Sequence, residues 1–171
     1  MKRIYLIGMP GSGKSAVGAR LAVLLRLPFV DLDGEIEREA GMTVTQLFAE
    51  KGESYFRDLE SRLLRSWAER PYAFVMATGG GAPCFHSGID IINRSGSSIF
   101  LDVPTSVLAA RIAEEEHRPL IQGGDREEKL RALLQQRRPI YEMAQHTVIA
   151  SGTPDEIAER ILKWLESHTQ G

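Results

Sequence analysis

The segment GMPGSGKS at residues 8–15 constrains this chain more than any other feature, because it matches the pattern GxxxxGK[ST] at every fixed position. A short apolar run at residues 3–7 precedes it. Residues 16–25, which repeat apolar side chains every three or four positions, follow it. The pattern binds phosphate when it connects a buried strand to a helix. The sequence therefore predicts a strand, a phosphate-binding loop (P-loop) and a helix, in that order.

The chemistry of a P-loop explains the residue types at these positions. Glycines allow backbone N–H groups to turn toward phosphate oxygens, and the N-terminus of the following helix adds a partial positive charge. Lys14 can reach the β- and γ-phosphates of a nucleotide, and Ser15 can offer its hydroxyl to Mg²⁺. We therefore predict ATP and Mg²⁺ as cofactors. The predicted nucleotide ligands in the loop are Gly11, Ser12, Gly13, Lys14, Ser15 and Ala16.

A P-loop alone does not define the reaction, because GTPases, motor ATPases and small-molecule kinases share it. The sequence contains no NKxD motif, with which GTPases read guanine. Its 171 residues also leave little room for the additional domains of most motors. These features favour a small-molecule kinase.

Apolar runs and helical spacings alternate along the chain. Strand-like runs lie at residues 3–7, 28–32, 73–77, 97–103 and 147–150. Helical spacing occurs at residues 16–25, 59–67, 107–112, 130–134 and 157–165. Such alternation predicts βαβ units, and strands that are apolar throughout indicate a parallel sheet covered on both faces. The predicted fold class is α/β.

Composition, net charge and cysteine content indicate what kind of protein this is and where it would function. With 43% hydrophobic and 26% charged residues, the chain should fold as one globular domain, residues 1–171. A net charge of −2 argues against a general nucleic-acid or membrane-surface binder. Cys84 is the only cysteine, so no internal disulfide can form, and its thiol is more often an inert apolar group than a nucleophile. We expect a cytoplasmic protein without nucleic-acid or membrane partners.

Two aspartates at the end of the second apolar run suggest a second half of the site. If Asp31 and Asp33 continue a strand, both carboxylates face the carboxyl end of the sheet, where ligands bind. One could hold Mg²⁺ through water, and the other could orient or deprotonate an acceptor hydroxyl. The alternative is an exposed turn in which Asp33 caps a helix.

The third apolar run leads into Gly79, Gly80 and Gly81. Three glycines there would expose backbone N–H groups and let a ligand approach closely, although a flexible loop is the alternative. Arg57 opens a predicted helix, and Glu60, three positions later, could hold its guanidinium in place.

Arg57, Arg118 and Arg137 could together form a cationic pocket, because guanidinium groups bind carboxylates and phosphates through paired hydrogen bonds. Taken singly, each arginine is more typical of a solvated surface charge. Arg118 lies in the charged, glycine-bearing segment at residues 114–125. That segment is either a solvated loop or an active-site lid whose arginine stabilises the transferring phosphoryl group.

In this order, GMPGSGKS, DLD, FRDLE, TGGGAP, RPL and RRPIY resemble the shikimate kinases, from residue 3 to about residue 165. The resemblance implies a three-layer, nucleoside-monophosphate-kinase-like sandwich with a five-stranded parallel sheet. It also implies transfer of the γ-phosphoryl of ATP to the 3-hydroxyl of shikimate, in the pathway to chorismate and aromatic amino acids. A monomer is the expected state.

The resemblance also implies roles for individual residues. The acceptor shikimate would contact Asp33, Arg57, Gly79, Gly80, Gly81 and Arg137, with Phe48 and Phe56 as walls of its pocket. The implied acceptor-binding part extends from about residue 33 to about residue 61, and the implied lid from about residue 112 to about residue 125. Glu60 would orient Arg57.

On the nucleotide side, the resemblance implies that Arg111 stacks on adenine and that Pro154 lies near the base. The implied magnesium residues are Ser15 and Asp31, and the implied catalytic residues are Lys14, Asp33 and Arg118. Asp102, although it follows an apolar strand, is not assigned to magnesium.

Two other functions are compatible with the sequence. One is another small-molecule kinase of the same fold, with gluconate or a nucleotide as acceptor. The other is a non-catalytic P-loop protein that senses nucleotide, against which the intact Lys14, Ser15, Asp31 and Asp33 argue.

Overall fold

The computed structural model describes residues 2–113 and 125–168. The strands are β1 (Arg3–Ile7), β2 (Phe29–Asp31), β3 (Phe74–Ala77), β4 (Ser97–Asp102) and β5 (His146–Ile149). The helices in the described ranges are α1 (Lys14–Leu25), α2 (Leu32–Ala40), α3 (Val44–Ala68), α4 (Gly88–Ser95), α5 (Thr105–Ile112), α6 (Arg126–Tyr141) and α7 (Pro154–His168). This element order confirms the α/β prediction.

All five strands form one parallel sheet in the order β2-β3-β1-β4-β5. In the central strand, Leu6 lies beside Ala77 of β3 and Ile99 of β4. Because every strand runs the same way, the segments that follow β1, β2 and β3 emerge at one edge of the sheet. The P-loop, Asp33 and the three glycines are therefore brought to the same edge.

The core explains why the strands are apolar at every position. Ile4, Tyr5, Leu6 and Ile7 are fully buried, which requires layers of helix on both faces of the sheet. Aromatic side chains connect the sheet to α3, since Phe74 makes edge contacts with Tyr5 and with Trp67 at 5.6 and 5.5 Å. The predicted three-layer sandwich with a five-stranded parallel sheet is thus confirmed.

The predicted strands agree with the observed ones to within one residue at each end, whereas two short helices were not predicted. Helix α2 buries only two large apolar side chains, those of Leu32 and Ile36. Helix α4 also buries only two, those of Ile89 and Ile92. Two apolar positions do not establish a helical period.

The start of α2 corrects two predictions about the aspartates. Strand β2 ends at Asp31, so Asp33 lies in the first helical turn and not two residues further along a strand. The helix cap is Asp31, whose carboxylate accepts hydrogen bonds from the backbone N–H groups of Asp33 and Gly34. Asp33 is therefore not the cap, and its carboxylate is directed by the helix.

Helix α3 is longer than predicted and is broken at Gly52, whose φ of 85° belongs to the left-handed region that favours glycine. Its N-terminus has a capping box formed by Thr43 and Gln46. The part of α3 that carries Arg57 begins directly after this break, so the helical segment predicted to open at Phe56 begins a few residues earlier than predicted. Within the described ranges, no helix is both long and apolar enough to cross a bilayer.

Candidate active site

A cleft of about 560 Å³ opens at the carboxyl edge of the sheet. It joins the P-loop and the start of α1 to the ends of β2 and β3 and to the start of α7. Its walls include Gly11, Ser12, Gly13, Lys14, Ser15, Ala16, Asp31, Asp33, Gly79, Gly80, Arg111 and Pro154. The structure therefore places the residues predicted to bind nucleotide, and three of those predicted to bind the acceptor (Asp33, Gly79 and Gly80), around one space.

The P-loop is shaped to receive phosphate. Gly13 is the N-cap of α1 with a φ of 91°, and no side chain among the described residues caps this helix. The N–H groups of the first helical turn, which have no intrahelical acceptor, are thus directed into the cleft. The ammonium group of Lys14 donates hydrogen bonds to the carbonyls of Gly8 and Met9, at 2.8 Å each. Lys14 is therefore held across the loop in reach of a bound phosphate.

The Ser15 hydroxyl donates a hydrogen bond to Asp31 Oδ2 at 2.8 Å, and both side chains line the cleft next to the P-loop. Among residues 2–113 and 125–168, no cluster of three or more His, Cys, Asp and Glu side chains could hold a metal. Two oxygen groups beside a phosphate site suit Mg²⁺, which keeps several waters and takes its other ligands from substrate phosphates. The donor set fits magnesium and does not form a complete protein cage.

Arg111 and Pro154 also line the cleft. Arg111, in the last turn of α5, donates a hydrogen bond from Nη1 to the carbonyl of Gly11 at 3.0 Å. Pro154 is the first residue of α7 and faces the same cleft. A planar guanidinium and a proline ring in the cleft that contains the phosphate loop suit the base of a nucleotide.

Arg57 is buried in α3 and is held by two carboxylates. Its Nη1 contacts Glu60 Oε1 at 2.9 Å, and its Nε contacts Glu53 at 3.4 Å. The predicted pairing of Arg57 with Glu60 is thus confirmed. The rings of Phe56 and Phe48 lie 4.8 Å apart beside it, and Phe56 is buried.

Gly79 brings the acceptor residues into contact, because no side chain fits at this position. A Cβ atom on Gly79 would lie 2.9 Å from Asp33 Oδ1 and 2.9 Å from Glu60 Oε2. Asp33 from α2 and Glu60 from α3 therefore meet against the backbone at the end of β3. The absence of a side chain allows this close approach, since Gly79 does not have a positive φ.

The next two glycines, Gly80 and Gly81, are in close contact with the guanidinium groups of Arg137 and Arg57. A Cβ atom on Gly80 would lie 3.0 Å from Arg137 Nη1, and one on Gly81 would lie 2.6 Å from the guanidinium carbon of Arg57. Both guanidinium groups therefore lie against one short backbone segment, beside Asp33. Two cations and a carboxylate on such a segment can bind a small ligand that has both a carboxylate and a hydroxyl group.

Arg137 is 5% exposed, and no carboxylate in residues 2–113 or 125–168 forms a salt bridge with it. A buried guanidinium without an ion-pair partner is costly, so this position suits an anionic ligand. One helical turn later, Tyr141 donates a hydrogen bond to the carbonyl of Gly80 at 2.6 Å. That bond fixes the end of α6, and with it Arg137, against the glycine segment.

The comparisons with known proteins agree with this geometry. A family model described as shikimate kinase matches residues 10–166. The chain is 38% identical over 169 residues to the shikimate kinase of Pelotomaculum thermopropionicum, covering 98% of each protein. It superimposes with a TM-score of 0.95 on a shikimate kinase from Acinetobacter baumannii solved in complex with shikimate. That match has 36% identity and covers 100% of this chain and 96% of the other.

The chain belongs to the shikimate kinase family. A second solved member, from Aquifex aeolicus, superimposes with a TM-score of 0.86 at 36% identity, covering 99% of both chains. The recognition made from the ordered motifs is therefore confirmed. The matches extend over the whole kinase fold, so membership does not rest on the P-loop alone.

The structure places the residues assigned by resemblance in two adjoining groups, while their individual roles stay predictions. The nucleotide group and Asp33 line the 560 Å³ cleft. Arg57, Gly81 and Arg137 lie beyond it and adjoin it through Gly79 and Gly80. The predicted lid at residues 112–125 is described only at its ends, and Arg118 lies outside the described residues.

Asp102 and Cys84 both lie in surroundings that argue against a direct part in the chemistry. Asp102 receives hydrogen bonds from Nη1 and Nη2 of Arg138, at 3.3 and 3.2 Å, so its carboxylate has a partner outside the P-loop. Cys84 is half-buried, and burial raises the pKa of its thiol, which makes the thiolate scarcer. The interpretation of Cys84 as an inert small residue is favoured.

Sequence reasoning gave no role to several side chains that shape the site. Tyr141 holds Gly80, the ring of Pro10 lies against Gly80, and Phe85 lies over Arg57. Only Tyr141 had a usable signal, because it follows Arg137 by four residues on one helix and must share its face. The contacts of Pro10 and Phe85 depend on tertiary structure.

The burial of Glu60 gives a prediction about stability and pH. Burial raises the pKa of its carboxyl to about 7, with Arg57 opposing the shift and Asp33 adding to it. Because the folded state binds this proton more tightly, the stabilising contribution is largest below the unfolded value of 4.5 and is lost as pH rises through about 7. We expect wild type to lose on the order of 3 kcal/mol of unfolding free energy relative to Glu60→Gln over that interval.

Urea denaturation of both proteins at a series of pH values measures this difference. Glu53→Gln is a matched control, because Glu53 contacts the same arginine but is half-exposed. Its difference from wild type should change little with pH. A pH-independent difference between wild type and Glu60→Gln would contradict the raised pKa.

Proposed function

We propose that this chain is a shikimate kinase that transfers the γ-phosphoryl group of ATP to the 3-hydroxyl of shikimate, giving shikimate 3-phosphate and ADP. The observation that carries this proposal is the buried Arg137, which forms no salt bridge with a carboxylate in the described part of the chain and lies with Arg57 and Asp33 along one glycine segment. Shikimate has both a carboxylate for the arginines and hydroxyl groups for the aspartate. Family membership makes it the first candidate for the acceptor.

In the nucleotide half, the amides at the start of α1 and the ammonium of Lys14 hold the phosphates of ATP. Lys14 exchanges its bonds to the loop carbonyls for the β- and γ-phosphate oxygens. The Ser15 hydroxyl, and Asp31 through a water, would hold Mg²⁺, which would supply positive charge to the phosphate oxygens. Arg111 and Pro154, which line the same cleft, hold the adenine.

In the acceptor half, Arg57 and Arg137 bind the carboxylate and so fix the orientation of the ring. Asp33 accepts a hydrogen bond from the 3-hydroxyl and directs its oxygen at the γ-phosphorus. The bond between that oxygen and phosphorus forms as the bond to the β,γ-bridging oxygen breaks. The hydroxyl proton passes to Asp33, and ADP leaves with the bridging oxygen.

Catalysis in this scheme rests mainly on positioning and on electrostatic stabilisation, as expected for phosphoryl transfer. We assign Arg118 to stabilisation of the transferring group and residues of about 112–125 to a lid that excludes water. Residues of about 33–61 form the acceptor-binding part. A cytoplasmic monomer in the shikimate pathway is the setting proposed for this activity.

An acceptor panel tests the proposal. Coupled ADP release should be measured with ATP and Mg²⁺ alone, and then with shikimate, gluconate or a nucleoside monophosphate. We expect strong release only with shikimate. Release with gluconate or a nucleotide would indicate a related kinase, and release that no acceptor changes would indicate a P-loop protein without this transfer activity.

The contact between Gly81 and Arg57 gives a second prediction. In Gly81→Ala the new methyl group would overlap the Arg57 guanidinium, which cannot move freely because Glu60 and Phe56 hold it. We expect KM for shikimate to rise roughly 10- to 100-fold, which is the loss typical of a displaced charged contact, while KM for ATP stays within about twofold.

Steady-state kinetics with each substrate varied in turn measures both effects. Gly34→Ala is the matched control, because a Cβ atom there meets only ordinary contacts at 3.7 Å and its backbone N–H is retained. This variant should keep wild-type kinetics. Equal rises in both KM values for Gly81→Ala would show that the glycine segment does not serve the acceptor alone.

A further inference from the structure

Phe85 is an exposed aromatic residue with a specific contact. It lies in the turn between the glycine segment and α4 and is 36% exposed, which is unusual for a phenylalanine that contributes only to the core. The Arg57 guanidinium carbon lies 4.2 Å from the centroid of its ring. This is well within the distance at which a cation is attracted to an aromatic face.

The ring of Phe85 restrains the Arg57 guanidinium in a direction that its hydrogen bonds do not. Two of its nitrogens are directed along the guanidinium plane to Glu60 and Glu53. These in-plane bonds fix the end of the side chain but do not prevent the plane from tilting. The rings of Phe85 and Phe56, with centroids 4.2 and 5.1 Å from the guanidinium carbon of the buried Arg57, limit that tilt.

The turn that carries Phe85 is fastened to α3, the helix that carries Arg57. His86 Nε2 contacts Asp58 Oδ1 at 3.1 Å, and Arg65 donates a hydrogen bond to the carbonyl of His86 at 3.1 Å. His86 also has a φ of 50° and Ser87 one of 59°, conformations that non-glycine residues adopt rarely. Tertiary contacts therefore hold the turn in a conformation that the backbone alone does not favour.

We propose that Phe85 is a positioning residue for the acceptor: it fixes the plane of the Arg57 guanidinium so that the acceptor carboxylate meets it in register. The inference rests on the proposed function, because it requires an acceptor with a carboxylate at Arg57. It assigns Phe85 no contact with ATP and no part in proton transfer. Phe85 therefore affects how well the acceptor binds and leaves the nucleotide half unchanged.

Kinetics of Phe85→Leu test this role, since leucine keeps apolar bulk without an aromatic face. We expect KM for shikimate to rise roughly 3- to 30-fold, the range of a cation–π contact, with kcat and KM for ATP within about twofold of wild type. Phe85→Tyr, which keeps the ring, should restore wild-type values. Tyr72→Leu, at an exposed aromatic residue that packs on Trp67, is a matched control and should change neither KM.

A second measurement separates positioning from a general structural effect. If Phe85 acts through Arg57, Phe85→Leu should have no further effect on KM for shikimate in an Arg57→Ala background. Additive effects of the two substitutions would overturn the inference, as would an unchanged KM in Phe85→Leu or equal rises in both KM values. Failure of the proposed function is distinguishable, because wild type itself would then show no shikimate-dependent ADP release.

Discussion

Replacing Arg137 by alanine is expected to lower kcat/KM for shikimate by roughly 100- to 1,000-fold, a loss of about 3–4 kcal/mol in transition-state stabilisation. The effect is large because Arg137 is buried, and a carboxylate bound there would lose its bidentate partner in a site with little water. ATP binding should survive, since Arg137 does not line the 560 Å³ cleft in which ATP is proposed to bind.

Stability offers an independent check on this variant. In the absence of acceptor, the wild-type protein bears the cost of burying a guanidinium that no described carboxylate pairs with. We therefore expect Arg137→Ala to unfold at the same urea concentration as wild type or at a higher one. A loss of activity could then not be attributed to unfolding.

The adjacent residue provides the matched control for Arg137. Arg138 is about one-third exposed and pairs with Asp102 and Glu142, on a side of α6 that does not line the cleft. Arg138→Ala should keep kcat/KM for shikimate and the affinity for ATP within about twofold of wild type, because surface ion pairs contribute little to stability. If ATP affinity in Arg137→Ala fell as much as shikimate affinity, the division of the site into two halves would be wrong.

Asp33→Asn should reduce kcat by roughly 100- to 10,000-fold, the range of a general base that also orients its substrate. Asparagine preserves size and hydrogen bonding but cannot accept the hydroxyl proton as a carboxylate does. Because Asp33 meets Gly79 at the carboxyl edge of the sheet, its replacement should leave the P-loop unchanged. The dissociation constant of ATP, measured by calorimetry, should remain within about twofold.

Asp31→Asn gives the contrasting result that makes the Asp33 experiment specific. Asparagine at position 31 can still accept the capping hydrogen bonds from Asp33 and Gly34, so α2 should begin as before. This variant should need more Mg²⁺ for half-maximal rate, whereas Asp33→Asn should not. A kcat for Asp33→Asn within threefold of wild type would remove Asp33 from the chemical step.

The sheet and the P-loop could be predicted from the sequence because they depend on local patterns. Strands buried on both faces are apolar at each position, and the GxxxxGK[ST] spacing is set by backbone geometry around phosphate. Helices α2 and α4 escaped prediction because each buries only two large apolar residues as helix positions. Periodicity is a weak signal in elements of nine and eight residues.

The prediction that Asp31 and Asp33 face one site is consistent with the structure, but the predicted strand geometry behind it was wrong. Strand alternation was expected to bring Asp31 and Asp33 to one face, but β2 ends at Asp31 and the first turn of α2 directs Asp33 instead. Both side chains line the cleft nonetheless, because the strand and the helix start meet at the carboxyl edge of the sheet.

Residue chemistry suggested parts of the predicted acceptor site, but only the resemblance joined them into one set, since its members come from α2, α3, the segment after β3 and α6. No spacing along the chain relates Arg57 to Arg137, or Phe85 to either of them. Their proximity is a product of the sheet order, which places β3 between β1 and β2. The Arg57–Glu60 pair was predictable because three residues on one helix share a face.

The measurement that tests the proposed reaction most directly is identification of its product. The protein should be incubated with ATP, Mg²⁺ and shikimate, and the products analysed by phosphorus NMR and mass spectrometry. The expected result is one phosphomonoester, coupled to the proton on C3 of shikimate and formed in equal amount to ADP. Free inorganic phosphate in place of this ester, or phosphate on another hydroxyl, would contradict the assignment of Asp33 and the two arginines to the acceptor.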